Sequence, residues 1–272
     1  MISEFLSYGF VQRGLAAGSL VAVICALLGV FLVLKRLSLI GDGLSHVCLT
    51  GVALGLLTQT SPLYMSVPVV LLSSFGILQL MEKIKVYGDA AIGIVSAAGL
   101  AIGILLTALA GGFNADLFGF LFGSILTVGR TEVFACVILL GALLLFFLYF
   151  YRDLLAASFD ESFARTRGVA VKRLNTVLIL FTSLAIVLAL KVVGIFLVSA
   201  LIILPPVTSL LLAKTFKQVL IISCILALVS VWSGVYLSFL FNIPSGATII
   251  LINILLLVLA YGYNKIRSAH AR

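Results

Sequence analysis

The chain has 272 residues, 63% of them hydrophobic and 10% charged, with a mean hydropathy of +1.35 and a net charge of +8. That balance excludes a soluble globular domain and points to an integral membrane protein. The basic residues are scattered between apolar runs, where positive charge gathers on cytoplasmic loops, so the excess does not indicate nucleic acid.

The opening Met1-Ile2-Ser3-Glu4-Phe5 lacks a basic leader and no small-residue cleavage site follows, so no cleavable signal peptide is expected. A helical span needs about 20 apolar residues. On that ruler nine spans fall near 10–34, 38–58, 63–81, 89–111, 132–150, 174–190, 193–213, 218–241 and 247–263. The seventh carries Pro205-Pro206, which must kink it or end it. Eight spans result if one stretch is re-entrant or lies flat. The fold class expected is therefore an all-α integral membrane protein of 8–9 transmembrane helices, in one domain over 1–272, with no repeat or linker.

The charges between spans set the topology. Lys35 and Arg36, Lys83 and Lys85, Arg152, Arg165, Arg167, Lys172 and Arg173, Lys214 and Lys217, and Lys265, Arg267 and Arg272 occupy alternate connections. They are fourteen of the seventeen basic residues, against Arg13, Arg130 and Lys191 on the other side. Positive loops stay inside, which places the C-terminus in the cytoplasm and the N-terminus outside.

The second span opens with the polar residues. Asp42 and His46 lie four apart and so share a helix face, with Ser45 and Thr50 near the same side as possible auxiliary pore-lining groups. Gly51 and Gly55 add a small-residue seam where another helix can approach. Ionisable groups at membrane depth usually face a cavity or a partner. A carboxylate and an imidazole suit zinc, or manganese with its lean toward oxygen, and two protein ligands suit an ion in transit. The alternative is an internal Asp–His pair, or a carboxylate placed by the helix dipole, with no metal.

Further along, segment 112–131 is external and only partly polar, and is expected as a half-helix folded toward the pore or a helix on the membrane surface. Segment 151–173 is the largest cytoplasmic loop. Ser158-Phe159-Asp160-Glu161 fits a capping box with Ser158 at N-cap and Glu161 at N3, and Gly168 suits the position after the helix. Phe159 and Phe163, with Arg165 beside them, suit docking into a groove of a partner, unless the helix is merely solvated. Lys191 either snorkels to the outer interface or stands in an outer vestibule, where it repels a cation unless neutralised. Asp89 and Asp116 sit near span ends and are expected at the interface.

Other chemistry is missing. Cys25, Cys48, Cys136 and Cys224 lie in apolar runs without C-x-x-C spacing, as buried thiols. No G-x-x-x-x-G-K-[ST], H-E-x-x-H or G-x-S-x-G occurs, so the chain neither binds ATP through a P-loop nor carries those catalytic motifs. Ser45 and His46 are adjacent and point about 100° apart on a helix, which argues against a membrane-embedded hydrolase.

The run Leu34-Lys35-Arg36-Leu37-Ser38-Leu39-Ile40-Gly41-Asp42-Gly43-Leu44-Ser45-His46, followed by Gly51-Val52-Ala53-Leu54-Gly55, resembles the signature of permeases in zinc and manganese ABC importers, L-R-R-x-S-L-x-x-D-x-L-S-H-x-x-L-x-G-V-A-L-G. Further matches in order are Gln12-Arg13, Leu121-Phe122-Gly123-Ser124-Ile125-Leu126, Phe159-Asp160-Glu161 with Gly168 and Arg173-Leu174-Asn175, and Val193-Gly194 before Leu197-Val198-Ser199-Ala200-Leu201 and Leu204-Pro205-Pro206. The chain departs from the pattern at Gly43, where the family usually has Ala or Thr, and at Pro206, where Ala is common.

The resemblance implies a non-ATPase permease of the bacterial plasma membrane with a vitamin-B12-importer-like (type II) helical bundle. Its implied partners are a second copy of itself, two cytoplasmic ABC ATPase subunits and an extracellular or periplasmic metal-binding protein. No cofactor is held permanently; the ion is cargo. The family's intramembrane Asp and His map onto Asp42 and His46, and its coupling segment onto Phe159, Asp160, Glu161, Phe163, Arg165 and Gly168. Ser45-His46-Val47, Phe122-Gly123-Ser124-Ile125-Leu126-Thr127 and Leu190-Lys191-Val192-Val193-Gly194 look more like the zinc branch, with manganese or iron as the alternative cargo. A proton-coupled secondary transporter using Asp42 and His46 as a relay is the competing class.

Overall fold

The computed structural model describes residues 9–109, 128–241 and 243–270. Among them ten helices follow one another: α1 (Gly9–Leu34), α2 (Ile40–Leu57), α3 (Pro62–Lys83), α4 (Gly88–Leu109), α5 (Arg130–Phe159), α6 (Glu161–Thr166), α7 (Val171–Val193), α8 (Ile195–Leu212), α9 (Phe216–Phe241) and α10 (Ser245–His270). Eight are long and apolar enough to cross a bilayer, and the apolar part of α8, Leu197–Leu212, is shorter. The helices begin and end within a few residues of the expected spans, except that α5, α7 and α10 run on beyond theirs. Residues 110–127 are not described, so most of the 112–131 expectation lies outside the described residues.

Two prolines inside α8 do not end it; the helix runs through Pro205 and Pro206 to Leu212. Proline at 206 has no N–H for the carbonyl of Ile202 one turn back. That carbonyl faces Gly29 of α1, where a Cβ would lie 2.1 Å from the oxygen. A bare backbone at Gly29 is what lets α1 and α8 pack there. The expected seam on α2 is used in the same way: a Cβ at Gly51 would meet Ser66 Cα at 2.4 Å, and one at Gly55 would meet Pro62 Cα at 2.6 Å, both on α3.

Helices α1 and α2 form the centre, with 72% of each apolar window buried, against 22% for α4 and α10. The outer helices turn large apolar side chains outward, among them Leu105, Leu148, Leu251 and Val258, as lipid-facing surfaces do. Several hydroxyls inside the bundle are satisfied within their own helix: Thr182 donates to Leu178 O and Ser183 to Ile179 O, each at 2.8 Å.

Contacts from four of the basic connections meet at one end of the bundle. Lys172 Nζ lies 3.1 Å from Glu82 Oε2. Phe216 packs its ring against Phe31, Tyr151 and Phe159 with centroids 5.5, 6.0 and 6.2 Å away. Lys35 reaches α6 and α7 at the same end. At the other end the Lys191 ammonium donates to the Glu132 carboxylate at the start of α5. Lys191 is thus neither a lone snorkelling cation nor an uncompensated charge.

Segment 151–173 is far more helical than a loop. Helix α5 continues to Phe159, with non-helical torsions at Phe150 (φ −103°, ψ 17°) where the apolar span was expected to stop. The cap is also displaced from the expected Ser158. Because Ser158 is still helical, its hydroxyl donates to Leu154 O at 2.7 Å. Asp160 caps α6 instead, its carboxylate accepting from Phe163 N at 3.0 Å. Gly168 follows the helix with φ +80°, a conformation glycine adopts without strain.

Candidate functional site

Helix α2 begins after a tight hydrogen-bonded turn, Leu37 N to Leu32 O at 2.8 Å and Ile40 N to Leu37 O at 3.1 Å. Asp42 falls in its first turn, where the helix dipole favours a carboxylate. A glycine on each side of it admits a neighbouring helix. At Gly41 a Cβ would lie 2.9 Å from Ile202 Cδ1 of α8, and at Gly43 it would lie 2.5 Å from Ile92 Cγ2 of α4. The departure at Gly43 therefore has a physical role: Ile92 fills the space an Ala or Thr side chain would take.

With α8 and α4 closing on both flanks, α2 keeps one open stripe. Leu39 is 48% exposed, Asp42 is exposed and His46 is half-buried. Among the described residues Asp42 makes no hydrogen bond or ion pair, and His46 makes one. His46 Nδ1 lies 2.9 Å from Ser96 Oγ of α4. The bond holds the ring by Nδ1 and leaves Nε2 for another partner.

Ser45 and Thr50 stand off this stripe. Ser45 is fully buried, and its hydroxyl donates back to Gly41 O at 2.6 Å. Thr50 donates to Gly99 O of α4 at 2.5 Å. The Ser45 bond stays within α2, and the Thr50 bond ties α2 to α4. Across Gly41, Ser199 Oγ of α8 is the one buried side-chain polar atom among the described residues without a hydrogen-bond partner. Among the described residues no group of three His, Cys, Asp or Glu forms, so the stripe offers one oxygen ligand group and one nitrogen ligand from a single chain.

The residues expected to couple to a partner gather at the basic end. Phe159 is 68% and Phe163 54% exposed. Arg165 pairs with Glu161 at 3.4 Å on the outer face of α6, and Ala164 anchors the inner face against Ala157 and Val171. Ser96 and Glu132 are unmarked in the sequence, and Asn175 stands out there only in the Arg173-Leu174-Asn175 match; each acts through a residue 50 or more positions away. Nothing local to those residues signals such a contact.

A family model described as the ABC 3 transport family matches residues 7–264. The manganese transport system membrane protein MntC of Halalkalibacterium halodurans is 34% identical over 96% of this chain and 89% of its own length. The high-affinity zinc uptake system membrane protein ZnuB of Haemophilus influenzae is 28% identical over 90% of this chain and 94% of its own. The solved structure of PsaBC from Streptococcus pneumoniae in complex with Fab superimposes with a TM-score of 0.84 at 31% identity, over 96% of this chain and 95% of that one.

Proposed function

The chain belongs to the ABC 3 transport family, and on that premise we propose that it imports a divalent transition metal as the membrane-spanning permease of an ATP-driven transporter. It lies in a bacterial plasma membrane with its basic end and C-terminus in the cytoplasm. Two copies assemble, two ATPase subunits dock beneath them on Phe159, Phe163 and their neighbours, and a metal-binding protein delivers the ion from outside. The carrying observation is the open stripe of α2, where Asp42 and His46 stand without mutual competitors between two close-packed flanks. Ionisable groups at membrane depth are costly and by default mark an ion pathway; here Asp42 has no partner among the described residues and His46 has Ser96 alone.

Manganese is the preferred cargo ahead of zinc. The zinc preference drawn from the residue resemblance is not supported by the relatives, since the manganese-named one is 34% identical and the zinc-named one 28%. An oxygen-plus-imidazole pair without thiolate suits manganese at least as well. The test is uptake of radiolabelled manganese and zinc into proteoliposomes holding the permease with its ATPase. Uptake that needs ATP and favours manganese is expected. Uptake driven by a proton gradient without ATP would assign the protein to the secondary transporters.

Ser96 is expected to matter through His46. Groups that orient a metal-binding histidine typically change affinity about 10–100-fold when removed. Ser96→Ala should raise the half-saturating metal concentration by about tenfold, with Ser96→Thr close to wild type. Equal saturation curves for all three proteins would show that the hydroxyl does not set the ring.

A further inference from the structure

Lys35 is the first residue after α1, on the turn that leads into α2, and its side chain is only 5% exposed. Its ammonium donates to Asn175 Oδ1 of α7 at 2.6 Å and to Ala157 O near the end of α5 at 3.3 Å. It lies 3.6 Å from Glu161 Oε1 of α6. Asn175 Nδ2 donates to the same carboxylate oxygen at 3.2 Å. One cation from the turn below the candidate site is thus caged by three elements of the opposite half of the chain.

The cage matters because of what each side is fastened to. On one side, Lys35 N donates to Phe31 O at 3.0 Å, and a short turn held by Leu37 N on Leu32 O and Ile40 N on Leu37 O leads into α2, where Asp42 sits in the first turn. On the other side is α6, six residues long, with Phe163 exposed on its outer surface and Glu161 on its first turn. Burial lowers the Lys35 pKa from its ordinary 10.5, while the Glu161 charge draws it back up. A buried ammonium cannot leave its partners without losing their compensation, so it follows them when they move. Apolar contacts slide, whereas this three-way cage holds a fixed registry.

We propose that Lys35 is a positioning residue for transport, tying the α6 helix to the metal-bearing helix α2 so that movement of the ATPase subunits changes the setting of Asp42 and His46. The inference rests on the importer reading above and adds the link that this reading requires. It assigns Lys35 no contact with the ion or with the ATPase. Its partner in the link is Glu161, with Asn175 holding both.

The experiment measures metal ions imported per ATP hydrolysed by the permease reconstituted with its ATPase and binding protein. Lys35→Met removes the charge and keeps the volume. It is expected to lower ions per ATP by about tenfold, within the range of ordinary coupling energies, while hydrolysis stays within about twofold of wild type. Lys35→Arg should restore at least about half of the coupling, since it keeps the charge and the donors. Should Lys35→Met fail to assemble, Asn175→Leu tests the same link by removing the α7 amide that bonds both Lys35 and Glu161, with an expected fall in ions per ATP of about fivefold. Wild-type ions per ATP in these variants, or import and hydrolysis lost in equal proportion, would overturn the proposal. A wild-type protein that imports no metal, or does so without ATP, would instead remove the importer reading, so the two failures are distinct.

Discussion

Asp42→Ala and His46→Ala should each cut metal import on the order of 100-fold or more, with assembly and ATP hydrolysis retained. Removing a group that merely orients a ligand changes metal affinity by about 10–100-fold, and removing the ligand itself is no milder. The structure also predicts that the two variants fold. Asp42 is exposed, with no partner among the described residues, so its loss should shift stability by no more than about 0.5 kcal/mol. His46→Ala leaves the Ser96 hydroxyl without its ring partner, which costs about 1 kcal/mol. Import measured beside a thermal melt of the purified complex separates the effects. Wild-type accumulation of both manganese and zinc in both variants would take the stripe out of the mechanism.

The second large effect is structural. Gly29→Ala sets a Cβ 2.1 Å from the Ile202 carbonyl oxygen and 2.8 Å from Pro206 Cγ, and Gly51→Ala sets one 2.4 Å from Ser66 Cα. Neither obstacle is the far end of a flexible side chain, so two helices must separate. Overpacking usually costs 1–3 kcal/mol, and with backbone as the obstacle each change should reach about 3 kcal/mol or more. Gly141→Ala is the control: beyond its own stretch of α5, no atom lies within 4 Å of its Cβ position, and the change should raise helix stability by about 0.5–1 kcal/mol. Size-exclusion profiles and melting temperatures in detergent give the answer. A Gly29→Ala protein that melts with Gly141→Ala would show that α1 and α8 are not held this closely.

The two glycine classes mark the boundary between what is readable in the chain and what is not. Gly51 and Gly55 were expected at a close approach because they sit one turn apart on an apolar helix. Gly29 carried no such signal, because its need arises from the close approach of Ile202 and Pro206, the latter 177 positions away. The same holds for charge. The basic residues foretold which connections share an end, yet the match of Lys191 with Glu132 and of Lys35 with Glu161 depends on which helices become neighbours. At 151–173 the expected helix is present, but its cap moved from Ser158 to Asp160 because α5 persists to Phe159.

Span positions, the sharing of one helix face by Asp42 and His46, and the segregation of positive charge follow from local composition, since each span satisfies its own backbone hydrogen bonds and meets the bilayer residue by residue. Packing alone settled which of the polar residues on α2 stay open. Ser45 and Thr50 turned inward to carbonyls at Gly41 and Gly99, and Asp42 and His46 were left facing out, because α4 and α8 close over α2 on either side of them. Which stripe of a helix is covered is a property of its neighbours, and residues far apart along the chain become neighbours only once it has folded.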